Sequence, residues 1–402
     1  MPPCRTARLD GVSIYYSQRF FDMRAVSLPA ILVGLFIAAC AGSAIAPGPT
    51  ATPTPATPTP VTSPVATPMP TPAFLNPGDA PALTLQDIFP PRELSTLRLD
   101  PSRLRTLIAT GDVIPARYTD VIIRQRGNDF LYPVAATREI TSDADLTLVN
   151  LEAPLIEGCP YHDSGFIFCG QTGFVAALEA AGVDVVTLEN NHIRNYGSKG
   201  IAETERTLAA SGIDFANRDT AAVRDVRGLK FGFLAFNGLG EMIDREAMSA
   251  QIEALRSQVD VVVVAIHWGA EYVSLPQTAP GLAEDEPVDI AHLAVDAGAD
   301  LVIGNHPHWV QAVELYKGKF IAYAHGNIIF DQMWSYETRV SVIGRYTFYD
   351  DVLVRVEFIP TLIENYAQPV PMEGAEAQAV LEGMQASSEE LAELLTGAPT
   401  SP

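Results

Sequence analysis

Five apolar runs in this chain each stop at a side chain able to ligate a metal. Residues 106–110 lead into Gly111-Asp112, residues 146–151 into Glu152, and residues 183–188 into Glu189-Asn190-Asn191-His192. Residues 259–266 lead into His267, and residues 301–303 into Gly304-Asn305-His306-Pro307-His308. Runs so continuously apolar predict strands buried on both faces. Between them, helical patterns at 173–181, 198–211 and 289–297 give the strand–helix alternation of an α/β architecture. Ligands of such sheets gather outside the carboxyl ends of the strands. Burying that many polar groups at one edge is costly unless they share a partner. Carboxylate, carboxamide and imidazole donors together suit Mn, Fe or Zn. Four of the seven histidines, His192, His267, His306 and His308, lie at these ends, and His325 follows a further run at 320–323. In extended backbone, residues two apart project to one side, which lets His306 and His308 converge across Pro307.

Composition removes other classes of function. The chain has 402 residues and a formal net charge of −22. That charge argues against a nucleic-acid surface, which needs clustered Lys and Arg, and against electrostatic docking on anionic lipid. With 48% apolar residues, it is not a disordered chain.

The amino terminus has a different composition. Arg24 precedes an apolar stretch over residues 25–39, short of the ~20 residues that span a bilayer as a helix but fitting a secretory signal. Ile37-Ala38-Ala39-Cys40 is similar to a bacterial lipobox, with Cys40 as the lipidated residue; a signal peptide cut near Ala44-Ile45-Ala46 is the alternative. Met23 stands where such a signal would start. The Pro/Thr-rich tract 47–72 lacks core-forming side chains and favours extended polyproline II, reaching at most about 80 Å. The expected organisation is a leader and lipoprotein signal peptide over 1–39, the lipidated cysteine and linker over 40–80, a folded domain over 81–365, and an acidic helical tail over 366–402. Cys159 and Cys169, close together in an exported chain, are expected to form a disulfide, the alternative being a Cys/His metal site with His162.

The motifs in order resemble the CapA family of capsule and poly-γ-glutamate biosynthesis proteins, within the calcineurin-like metallophosphoesterase superfamily. They are Thr110-Gly111-Asp112-Val113, Val149-Asn150-Leu151-Glu152, Glu189-Asn190-Asn191-His192, His267-Trp268-Gly269-Ala270-Glu271-Tyr272, Ile303-Gly304-Asn305-His306-Pro307-His308, and Gly326-Asn327-Ile328-Ile329-Phe330-Asp331-Gln332. The resemblance implies a metallo-dependent phosphatase-like four-layer α-β-β-α sandwich holding one or two divalent ions at the strand ends. Glu152 would bridge; Asn191, His267 and His306 would complete one ion's shell, and Asp112 and His308 would hold the second. His192 would contact the phosphate or protonate the leaving group, and Arg117 would grip an anionic substrate. The superfamily usually carries Asp-x-His in its first motif, whereas Asp112 is followed here by Val113 and Ile114, so the second ion is short of one imidazole. Glu152 replaces an aspartate, Asn195 stands where an aspartate is frequent, and Asn305 where a histidine is common.

The implied role is capsule or poly-γ-glutamate synthesis or export, with metal-dependent phosphoester hydrolysis. The alternative is a non-catalytic accessory or polymer-binding subunit of a poly-γ-glutamate synthase. Expected partners are the membrane through the lipid anchor, poly-γ-glutamate or another anionic polymer, and membrane synthase subunits, with no nucleic acid. The expected location is extracytoplasmic, on the bacterial cell membrane.

Overall fold

The computed structural model describes residues 74–397; Cys40, the signal segment and the Pro/Thr-rich tract lie outside them. The strands of the first half are β1 (Leu104–Val113), β2 (Leu146–Leu151), β3 (Leu155–Ile156), β4 (Gly170–Gln171), β5 (Val185–Thr187), β6 (Asp214–Ala216), β7 (Ala222–Val226) and β8 (Leu229–Asn237). Those of the second half are β9 (Val261–His267), β10 (Leu301–Asn305), β11 (Val313–Tyr316), β12 (Lys319–Ala322), β13 (Asn327–Ile329), β14 (Val340–Tyr349), β15 (Val352–Glu364) and β16 (Gln368–Pro371). The α-helices are α1 (Tyr118–Gln125), α2 (Arg138–Thr141), α3 (Val175–Ala180), α4 (Gly197–Ala210), α5 (Arg245–Arg256), α6 (Pro287–Asp296) and α7 (Gly374–Thr396).

Two mixed sheets face each other. The larger has the order β16-β15-β14-β1-β2-β5-β6, with β13 added beside β1; the smaller is β11-β12-β10-β9-β8-β7. Their packing follows from strand alternation. Val261 and Val263 of β9, with Phe231, Phe233 and Leu301, meet Leu107, Leu148 and Val185 of the opposite sheet in one buried core. The intervening Val262, Val264 and Ile266 turn outward onto Met248 and Ile252 of α5 and Ile290 and Ala294 of α6. On the far side, Ile108, Val149 and Val186 pack under Leu178 of α3 and Leu208 of α4. The result is four layers, helix–sheet–sheet–helix.

The helices form where caps and spacing dictate. The Asp244 side chain accepts from the amides of Glu246 and Ala247 to start α5, and its buried Met248, Ile252 and Leu255 recur at helical spacing. Gly212 and Gly298, at φ 72° and 115°, follow the ends of α4 and α6. Helices α1, α2 and α5 have no counterpart among the helical patterns of the sequence. Among the described residues, no helix is long and apolar enough to cross a membrane.

The folded unit extends past both expected limits of 81–365. Leu75 donates its amide to the Arg98 carbonyl at 2.8 Å and accepts the Tyr349 hydroxyl at 2.7 Å. β16, beyond residue 365, is an edge strand of the larger sheet, where Pro369 and Pro371 are tolerated because an edge leaves amides unpaired. Helix α7 buries Met384, Ser388 and Leu391, and the Val313 amide donates to the Ser388 hydroxyl at 2.9 Å.

Candidate metal centre

The strands deliver their polar ends to one place. Asp112 lies near the end of β1, Asn150 in β2, His267 at the end of β9 and Asn305 at the end of β10; Glu152, Asn191, His306 and His308 follow in loops. Delivery of Asp112 depends on Gly111, where a Cβ would stand 1.8 Å from the Gly326 carbonyl oxygen. The close pass lets the Asp112 amide donate to that oxygen at 3.0 Å.

Ligand atoms of Asp112, Glu152 and His267 fall within 4.8 Å of one another, as do those of Glu152, His306 and His308. Glu152 belongs to both groups, the position expected of a bridging carboxylate. Its Oε1 is 3.5 Å from His267 Nε2 and 4.0 Å from His192 Nε2. Asn191 Oδ1 lies 3.0 Å from His267 Nε2. All the sequence-predicted ligands therefore converge. Ile114, where an imidazole was missing, packs among Ala116, Ala153, Phe168 and Phe330 in an apolar cluster.

Electrostatics show what the cluster lacks. Glu152 is fully buried, and among the described residues neither of its oxygens has a hydrogen-bond partner; both ring nitrogens of His306 are likewise unpartnered. Burial, and then the charge of Asp112, push the Glu152 carboxyl well above its ordinary range. Burial and neighbouring imidazoles hold His306 well below its usual value. Burial also lowers His267 to about 4. Asp112 and His308 behave as a pair: burial opposes charge on each, but their hydrogen bond prevails, lowering Asp112 and raising His308 to about 9. An orphaned carboxylate beside lone-pair imidazoles is costly in protein alone and is satisfied by a cation. The donor set fits a divalent ion.

Neighbouring amides orient two of the imidazoles. The Asn327 amide nitrogen donates to the His308, Gln332 and Thr338 oxygens at 3.0–3.3 Å. Its Oδ1 therefore accepts His308 Nδ1–H at 2.8 Å, and the same nitrogen lies 3.2 Å from Asp112 Oδ2. At His192, Asn195 Oδ1 accepts the Phe168 amide at 2.6 Å, so it also accepts from Nδ1, at 3.0 Å, and Nε2 is left facing Glu152. The Phe168 ring covers His192 at a centroid distance of 4.0 Å, and burial holds that imidazole down to about 4. Held neutral, His192 presents the Nε2 lone pair towards Glu152, 4.0 Å from Oε1.

Arg117 is placed differently from a free anion grip. Its Nε donates to Asp331 at 3.1 Å, Nη2 pairs with the same carboxylate, and Nη1 donates to the Gly165 carbonyl. The guanidinium lies between Phe330 and Phe168, at 4.7 and 5.1 Å from their centroids. Cys159 and Cys169 are joined by a disulfide, closing the loop that carries Phe168, with no thiolate left for the alternative site with His162. His325 stands apart from both ligand groups, its Nε2 2.8 Å from the Tyr346 hydroxyl.

Sequence reasoning did not single out Asn150, Asn327 or Glu271. Asn150 donates to Asp112 Oδ1 at 2.8 Å and reaches His267 Nδ1 at 3.5 Å. A carboxamide inside the strand-forming run 146–151 was the available signal. Four non-glycine residues around the cluster, Arg117, Tyr272, His306 and His308, have φ between 53° and 94°. Strain of that kind gathers where the surrounding structure overrides local preference.

Facing sheets with a carboxylate–imidazole cluster at their strand ends define a four-layer α/β fold with a candidate metal centre. A profile described as Bacterial capsule synthesis protein PGA_cap matches residues 106–332, and the chain belongs to that family. It is 26% identical over 298 residues to the capsule biosynthesis protein CapA of Bacillus anthracis, covering 67% of this chain and 70% of that one. It is 27% identical over 285 residues to the PGA biosynthesis protein CapA of Bacillus subtilis, covering 65% and 72%. Among solved structures, a putative 5′-nucleotidase from Staphylococcus aureus overlaps 70% of this chain and 58% of its own at 13% identity, with a TM-score of 0.38.

Proposed function

We propose that this protein is a metal-dependent hydrolase of phosphoesters serving capsule or poly-γ-glutamate assembly outside the cytoplasm. The observation that carries the reading is the orphaned Glu152 carboxylate, shared by two ligand groups. A divalent ion there, Mn, Fe or Zn, would supply Lewis acidity and an activated water. The chain's own residues do the rest. Asp112, Glu152, Asn191, His267, His306 and His308 would hold the ion, Asn150 donates to Asp112, and His192 Nε2 faces Glu152 at the edge of the cluster. Turnover of an aryl phosphate by the Mn-loaded protein tests this. Asp112→Ala with His267→Ala should lower the rate at least about 100-fold, a loss on the scale of removing central transition-state stabilisation; equal residual rates would overturn the enzymatic reading.

One observation favours a second reading, an accessory subunit that binds polymer or synthase partners without turnover. The Arg117 guanidinium is committed to Asp331 and Gly165, so an anionic substrate would have to be held by the metal itself. Restoration of polymer by the Asp112→Ala/His267→Ala variant in a deletion strain would favour that role.

The proposed location is the outer face of the bacterial cell membrane, with Cys40 lipidated. The supports are the lipobox-like Ile37-Ala38-Ala39-Cys40 and the Cys159–Cys169 disulfide, a bond that persists in oxidising compartments. Cys40→Ser should move the protein from the membrane fraction to the soluble one. An unchanged distribution, with no lipid mass on the mature N-terminus, would refute the anchor.

A further inference from the structure

We propose that Glu271 is a third carboxylate ligand of the metal centre, sharing an ion with His306; this rests on the metal reading above. The loop after β9 is fastened to hold that carboxylate in place. The Trp268 amide donates to the Asn305 carbonyl at 3.1 Å, Ala270 to Gln277 at 2.9 Å, and Tyr272 to Pro307 at 2.9 Å. The chain therefore runs beside the His306-Pro307-His308 turn, with Glu271 between two anchored residues. Tyr272 takes φ 61°, an uncommon conformation for an aromatic residue, and Gln332 Nε2 donates to its hydroxyl at 3.0 Å.

Within this frame Glu271 Oε1 lies 3.8 Å from His306 Nε2. That is too long for a hydrogen bond, and His306 Nε2 has no other partner among the described residues. The same relation recurs at Glu152 and His267, a carboxylate and an imidazole 3.5 Å apart. In both places, two donors face each other at the separation left for a shared cation. Glu271 differs in exposure: its side chain is 34% exposed, against 0% for Glu152. It thus stands on the solvent side of the cluster, where an ion or an ion-bound substrate enters. With Asp112 and Glu152, Glu271 brings the number of carboxylates at the centre to three.

The test is metal binding, read without turnover. Chelator-stripped full-length protein is titrated with MnCl2 by calorimetry, and bound Mn is followed by its electron paramagnetic resonance spectrum. Glu271→Gln and Glu271→Ala should each weaken one Mn-binding step at least about tenfold and change the spectrum of the bound ion. Their melting temperatures without metal should match the parent, because the side chain is partly exposed. Variants binding Mn with the parent's stoichiometry and affinity would overturn the role of Glu271 while leaving the metal centre standing. A parent that takes up no Mn, Fe or Zn would remove the metal reading and this proposal together.

Discussion

Replacing Glu152 with Gln should stabilise the metal-free protein and abolish its response to metal. The wild-type carboxyl is fully buried without a partner, and its folded-state pKa is raised well above the ordinary value. The sign follows directly. An acid with a raised folded pKa keeps its proton in the fold after the unfolded chain has released one. Stability is therefore intact below the ordinary carboxylate range and is lost as pH climbs from there towards the raised value. Glutamine keeps the shape and removes the titration. At pH 7–8 the metal-free variant should gain about 2 kcal/mol, a Tm rise of roughly 4–8 °C, with a flatter pH dependence. Saturating Mn at about 100 times its Kd should stabilise the wild type by about 2.7 kcal/mol and the variant not at all. Thermal melts with and without Mn across pH decide the matter. A variant less stable than wild type in the absence of metal would contradict the account of Glu152.

Gly111→Ala should be among the most damaging single-methyl changes in the fold. The new Cβ would stand 1.8 Å from the Gly326 carbonyl oxygen, a backbone atom that side-chain adjustment cannot relieve. Strands β1 and β13 would have to separate, breaking the Asp112 amide bond to Gly326. The expected cost is about 4 kcal/mol or more, a Tm fall of roughly 10 °C, with metal affinity lost alongside it. Gly383→Ala is the control. It lies in α7 with nothing within 4 Å of the added carbon, and there alanine should be neutral or stabilising by up to about 1 kcal/mol. Equal melting of the Gly111 variant and the wild type would show that the close approach is not rigid.

What could be read from the sequence was whatever local pattern governs. Buried strands show as apolar runs, and their polar terminators, Asp112, Glu152, His267, His306 and His308, stood out as interruptions. The helix over Gly374–Thr396 was legible because apolar residues recur at its period among glutamates. Tertiary pairing was not legible. Arg117 reads as a free cation until Asp331, far along the chain, is seen to take its guanidinium. Glu271 had no periodic signature, since a loop's register on His306 is set by backbone bonds to Asn305 and Pro307. β16 was hidden because two prolines within four residues argue against a strand, and only its edge position makes them harmless.

The place of β1 has a consequence for how the protein comes into being. The first strand made is an interior one, lying between β2 and β14, whose partner residues 340–349 are synthesised long afterwards. Asp112 therefore waits with one side of its strand unpaired until most of the polypeptide exists, and His306 and His308 arrive almost as late. The candidate cage is complete only once the strand of residues 340–349 has been laid against β1.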